Sequence, residues 1–371
     1  MQDLVHARDL VAGALGALGS FFFDNILKGL TGNSIAMWAA TLRDYFWRRR
    51  KIKVIQEYFT IGNYRTSLQL LDGDGEMDFS PSSLFVHYSS GTPESPEEVS
   101  KLIADQQKKM QDAHDAGDAK TWDGVGIGLL SYDELRDLDE RRLGACVKCC
   151  TSRYSEFQAT VARIGVEPRG SGKSLYERFL KDRSPRDVVP FLAKHVGVAV
   201  LVITKDNIAL LTRRAQNTGA RQCELDVSVV EGIDPTKDVD PSRATATIDV
   251  FRAIIRGCRE ELGFDPEPNE IKILGFGVDM AFYQYNFLAI VYSSLTYEEI
   301  ARCRGTKACY AWEGRVEPHD LKPHMIEVIQ NEKMWGFASA LIYWALLRKF
   351  SRPMIEAQAH QHVVRRDGYI P

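Results

Sequence analysis

Arg256-Gly257-Cys258-Arg259-Glu260-Glu261-Leu262-Gly263-Phe264 is the stretch on which the reading of this chain turns. It reads as the end of a long helix that starts near Thr245. Adjacent residues on an α-helix point about 100° apart, so Glu260 and Glu261 both reach one cation when a loop closes over that face. Asp249 lies eleven residues before Glu260, close to three full turns, and shares its face. Gly263 supplies a left-handed residue to stop the helix. An R-x-x-R-E-E run is also ordinary helix surface charge, so the strands around it must carry any stronger reading.

The stretch resembles the end of a Nudix box, G-x5-E-x7-R-E-U-x-E-E-x-G-U with U aliphatic. Arg256, Cys258 in an apolar slot, Glu260, Glu261, Gly263 and Phe264 fit, whereas Gly257 stands where the box has a metal-binding glutamate. Counting back from Arg256, the box glycine falls on Ser242 and the first glutamate on Ile248, so neither fits at normal spacing. A loop longer by ten residues lets Glu231-Gly232 serve as the glycine turn, and Asp234 to Arg243, with its Asp-Pro and Pro-Ser turn signals, suits such an insertion.

Within that group the chain is most similar to the SMODS-associated NUDIX family, proteins encoded beside cyclic-oligonucleotide synthases in bacterial anti-phage operons. D-V-S-V-V-E-G at Asp226 to Gly232, the R-G-x-x-E-E-L-G variant and the placement after a long N-terminal region carry the similarity, which covers residues 190–350. Upstream only T-S-R-Y-S-E-F, Thr151 to Phe157, matches. The resemblance implies a Nudix-like α/β/α sandwich with a mixed sheet; with the β-rich domain and the N-terminal apolar helices read from the residues before it, the chain is expected to be an α+β protein. It implies an effector of cyclic-oligonucleotide-based anti-phage signalling, controlled by a cyclic oligonucleotide from a partner synthase. Glu260, Glu261 and Arg256 become the catalytic candidates. Glu260 and Glu261 become ligands to Mg²⁺ or Mn²⁺, with Asp249 or Glu231 replacing the lost ligand and the backbone near Gly232 offering a carbonyl. Such a metal neutralises a pyrophosphate and activates water. Arg256 orients Glu260 by an i,i+4 pair. Glu317, His319, His324 and Glu327 are candidate general bases. Phe282, Tyr283 and Tyr285 either stack a base or belong to the core. Two functions stay open: a metal-dependent nucleotide pyrophosphohydrolase with a degenerate box, and a non-catalytic nucleotide-sensing module acting through an N-terminal membrane or oligomerisation segment.

The chain has 371 residues, 44% hydrophobic and 26% charged, which suits a folded protein of more than one region. A formal net charge of −3 argues against general nucleic-acid binding. Seven cysteines, an odd number, do not form a secreted disulfide framework and point to a reducing compartment. Cys146 and Cys149 make one CxxC, but a zinc site needs a second pair, and the run reads as buried strand.

Residues 1–53 differ from the rest. Leu10 to Phe23 is an uncharged apolar run, and Ile35 to Trp47 ends at the basic cluster Arg48 to Lys53. Apolar helices beside aromatic and basic residues suit the cytoplasmic face of a membrane. A buried hairpin or a homo-oligomer arm in a cytoplasmic protein explains the same pattern. Residues 54–190 read as a β-rich domain and linker with one polar helix at Pro96 to Ala116. Arg169 to Ser174 is not a phosphate loop, because Glu167 occupies the required first glycine. Residues 191–350 carry a hairpin at Val196 to Arg214, strands at Ile271 to Val278 and Tyr283 to Tyr292, and an apolar helix at Lys333 to Phe350. Residues 351–371 show no apolar period and read as a tail.

Overall fold

The computed structural model describes residues 58–117, 123–135, 143–167, 172–216, 221–240, 247–309 and 314–361. The expected N-terminal apolar helices lie outside the described residues. Among those described, no helix is long and apolar enough to cross a membrane.

Strands β1 (Thr60–Ile61) and β2 (Tyr64–Arg65) pair only with each other. β3 (Leu68–Asp72) and β4 (Phe79–Ser89) follow, then helix α1 (Glu97–Asp115). β5 (Val125–Glu134) and β6 (Leu143–Arg153) lead to the short helices α2 (Tyr154–Ala159) and α3 (Leu175–Phe179). The next strands are β7 (Val196–Ile203), β8 (Ile208–Arg214), β9 (Leu225–Asp226), β10 (Val229–Gly232) and β11 (Thr247–Ile248). Helix α4 (Val250–Gly257) runs into a π-turn at Cys258–Leu262. β12 (Ile271–Asp279), β13 (Gln284–Tyr292), α5 (Tyr297–Lys307) and β14 (Gly314–Asp320) come next. The chain closes with α6 (Met325–Asn331), α7 (Gly336–Lys349) and α8 (Arg352–Gln361).

Twelve strands form one mixed sheet in the order β14-β8-β7-β13-β12-β4-β6-β5, with β10 on β7, β11 on β4, β3 on β12 and β9 on β8. The β7–β13 and β4–β6 pairs are parallel and the others antiparallel. Every residue of β7 is buried because both faces of the strand are covered. Val196, Val198, Val200 and Val202 enter one core with Ile254 and Cys258 of the box helix; Ala199, Leu201 and Ile203 enter a second with Phe337, Leu341 and Trp344 of α7. Residues 54–190 and 191–350 thus build the same sheet, and β12 is hydrogen-bonded to β3 and β4 as well as to β13.

Two expectations need correction. The box helix does not begin near Thr245: Thr247 and Ile248, both β-branched, pair as strand with His87 and Val86, and the helix starts only at Val250. The tail expected from residue 351 opens instead with α8, which buries Ile355 and Ala359 against the α7-side core.

Candidate functional site

Asp249 is the N-cap of α4. Its side chain accepts from the backbone N–H of Phe251 at 2.9 Å and of Arg252 at 3.4 Å. That role commits it to the first turn of the helix, where the helix otherwise has unpaired donors. Burial raises its carboxyl pKa, with the two cap bonds acting the other way. At the far end Gly263 has φ 78° and stops the π-turn, as its place in the sequence suggests.

Gly257 has a steric explanation. A β-carbon there would lie 2.7 Å from Val229 Cγ1 and 3.0 Å from Glu231 Cβ, so β10 packs directly on the helix backbone. The position where the box has a glutamate is closed by a strand, and that strand brings its own carboxylate, Glu231, to the helix.

Arg256 is the hub. Its guanidinium is 8% exposed at the residue level and donates from Nε to Asp238 Oδ1 at 2.9 Å. Nη2 donates to Asp238 Oδ2 at 2.8 Å and to the Gly232 carbonyl at 2.6 Å. Nη1 reaches Glu231 Oε1 at 2.9 Å and Glu260 Oε2 at 3.4 Å. Burial opposes the charge of Arg256, but Asp238 and Glu231 more than offset it, and the guanidinium is held more firmly protonated than in water. Glu261 accepts the Val230 N–H at 3.2 Å, tying the end of the helix to β10.

The expected Glu231, Arg256, Glu260 and Glu261 therefore gather where α4 meets β10, and Asp249 does not join them. Asp238, 1% exposed, is a member that sequence reading missed. It sits in the extension after the glycine turn, eighteen residues from Arg256, where no helical or strand period links the two. Among the described residues no group of three or more His, Cys, Asp or Glu side chains is arranged to hold a metal ion. The proposed ligands present their oxygens to Arg256 and to the β10 backbone, so in this arrangement they do not fit a metal. Of the candidate bases, Glu317 is bound by Arg213 at 2.9 Å and Arg315 at 2.7 Å on the edge strand β14, with His319 4.0 Å away. Tyr283 and Tyr285 are core residues in edge-to-face contact. The Cys146 to Cys150 run is strand, with Cys149 and Cys150 buried and all three cysteines free.

A second polar cluster lies on the α7 face of the sheet. Strand alternation puts Asn286 on that side with Leu288 and Ile290, and Asp279 beside it as a diagonal neighbour across the β12–β13 pair. Asn286 is 0% exposed and neither amide atom has a hydrogen-bond partner. Asp279 accepts the Ala281 N–H through Oδ1 at 2.8 Å and has the Ser67 hydroxyl and the Trp335 indole as polar neighbours. Arg221 stands 3.8 Å over the Trp335 ring and pairs with buried Asp226 at 2.6 Å. Its φ of 52° is left-handed, a strained conformation for a side-chain-bearing residue. Burial raises the pKa of Asp279, and the Arg221 charge partly opposes the shift.

No family model matches the chain and no curated protein is similar to it in sequence. Among solved structures, DR0079 from Deinococcus radiodurans is similar at 15% identity and a TM-score of 0.29, over 43% of this chain and 84% of that one, a likeness too slight to carry an argument.

Proposed function

We propose that this protein is an effector of cyclic-oligonucleotide-based anti-phage defence in which a Nudix-like α/β/α unit binds a nucleotide diphosphate derivative without hydrolysing it. The resemblance supplies the biological setting, with a cyclic oligonucleotide from a partner synthase as the controlling ligand. The N-terminal segment delivers the effect through a membrane or through self-association.

The observation that carries binding is the buried polar cluster of Asn286, Asp279 and Trp335 beside Arg221. Buried polar atoms are nearly always paired, and the unpaired Asn286 amide, close to a carboxyl, an indole and a stacked guanidinium, offers the donor and acceptor that a nucleobase edge requires. The box points away from hydrolysis: Gly257 has no room for a side chain, and Glu231 and Glu260 are engaged by Arg256. A second reading, metal-dependent hydrolysis, requires Glu231 and Glu260 to leave the Arg256 nitrogen on which they converge; only then would they offer, with Glu261, hard oxygen donors to Mg²⁺ or Mn²⁺. A divalent ion there would supply charge neutralisation and an activated water.

Calorimetry of the full chain against cyclic di- and trinucleotides and nucleotide diphosphate derivatives, with and without Mg²⁺ or Mn²⁺, tests both readings. Binding without product, weakened at least tenfold by Asn286→Leu, is the expected result; a tenfold loss is about 1.4 kcal/mol. No heat from any compound sinks the binding reading. Product formation that Glu261→Gln abolishes establishes the hydrolase instead.

A further inference from the structure

We infer that Arg256 is the resident cation of the box: its guanidinium, anchored by Asp238, takes the place of a divalent metal between Glu231 and Glu260. The inference rests on the reading of this unit as a binding module.

A guanidinium has five N–H donors, and those of Arg256 all have acceptors: Asp238 Oδ1 and Oδ2, the Gly232 carbonyl, Glu231 Oε1 and Glu260 Oε2. A side chain with every donor committed is a structural cation, since nothing is left to offer a phosphate. Asp238 makes the arrangement hard to undo. It is 1% exposed and grips Arg256 through both oxygens, the geometry in which Arg–carboxylate pairs are strongest. Its own loop is fastened as well. Asp238 Oδ2 accepts the Asp234 N–H at 2.8 Å, and the Asp238 carbonyl accepts the Asp249 N–H at 2.7 Å, joining the extension to the start of the box helix.

A metal ion bound by Glu231 and Glu260 would need the space that Nη1 fills, 2.9 and 3.4 Å from their oxygens. Displacing Nη1 means moving a buried guanidinium off a bidentate buried carboxylate. The missing glutamate at Gly257 and the additional aspartate in the extension are then two parts of one change, the loss of a metal ligand and the gain of an anchor for the arginine.

Mn²⁺ binding to the full chain, followed by electron paramagnetic resonance, tests this without reference to activity. The native protein is expected to bind Mn²⁺ no tighter than about 1 mM at this site, with no change on Glu231→Gln. Because Arg256→Met alone strands Asp238, the informative variant is the double Arg256→Met, Asp238→Asn, which removes both charges. It should bind Mn²⁺ at least about tenfold more tightly, and adding Glu231→Gln should reverse the gain. Micromolar Mn²⁺ binding by the native chain, abolished by Glu231→Gln or Glu260→Gln, overturns the inference, as does a folded double variant with unchanged affinity. If the double variant does not fold, the native titration decides alone. Nucleotide calorimetry in EDTA separates this inference from the reading beneath it. Binding that requires metal overturns the resident cation but leaves the module, whereas no nucleotide binding under any condition removes the module and leaves the Mn²⁺ result to stand by itself.

Discussion

Gly257 shows how a gap in a motif acquires a physical cause. From sequence it is a missing ligand, and in the structure it is a point of close approach between α4 and β10, with Val229 Cγ1 2.7 Å from the place a β-carbon would take. An alanine gains about 1 kcal/mol of helix propensity over glycine but loses about 1–3 kcal/mol to overpacking. Gly257→Ala should therefore destabilise the protein by about 1 kcal/mol. Gly257→Glu, which restores the box residue, has to push β10 off the helix and should cost about 3 kcal/mol or more. Urea denaturation of the two variants checks this, and a Gly257→Glu protein as stable as the parent would refute the steric account. The glycine was legible in the sequence; what filled its place was not, because β10 approaches the helix through tertiary packing. Asp238 was hidden for the same reason, as one aspartate in a turn-rich extension that folding carries onto Arg256.

The box helix is short, eight α-helical residues before the π-turn, and its start depends on Asp249. Sequence reading placed Asp249 on the helix face as a metal ligand, having extended the helix over Thr247 and Ile248. Those two residues favour strand, and β4 was there to pair with them. The roles separate experimentally. As a cap, Asp249→Ala should cost about 1 kcal/mol, whereas Asp249→Asn, which keeps the acceptor and relieves a buried charge, should stay within about 0.5 kcal/mol of the parent. Equal loss in both variants would show that the charge matters beyond capping. Elements with a strong period or a continuous apolar run were read correctly: the β7 and β8 strands, β12, β13 and the apolar helix α7. Helix α8 was missed because only Ile355 and Ala359, four residues apart, are buried in an otherwise polar segment.

At the scale of the whole molecule, the separate β-rich region of the sequence reading contributes four strands, β3 to β6, to the common twelve-stranded sheet. Charge and burial cross the boundary between residues 54–190 and 191–350. Lys194 Nζ meets Glu156 at 3.2 Å, with only 1% of the lysine side chain exposed, and the His195 ring packs on Phe157 at 5.2 Å and beside Gly232. None of this is periodic, so a chain read segment by segment divides where the folded protein does not. The junction has a measurable consequence. Burial lowers the His195 pKa from its ordinary 6.5 to about 4. A base whose folded pKa is depressed takes up its proton first in the unfolded chain, so its contribution is complete above about pH 6.5 and is lost as pH falls towards 4. The full shift corresponds to about 3 kcal/mol, and the partial exposure of the residue trims this to about 2 kcal/mol. The carboxylates whose pKa values are lowered, Glu177, Asp206, Asp234, Glu299, Glu317 and Asp320, begin to lose their contribution at the ordinary carboxylate range, at the acid end of this window, whereas Asp249 and Asp279, raised by burial, add stability on acidification; all of them are common to parent and variant and cancel in the comparison. His319, also lowered by burial, titrates in the same direction and needs its own control. Urea denaturation from pH 7.5 to 4.5 should show His195→Gln losing about 2 kcal/mol less stability than the parent over the same interval, and His319→Gln differing from the parent in the same direction by a smaller margin. The comparison uses slopes, so a uniform loss in the variant from poorer packing against Gly232 leaves it intact. Parallel curves for the parent and His195→Gln would mean that the imidazole accepts a proton in the folded state, and that the junction between the two parts of the sheet is open to water.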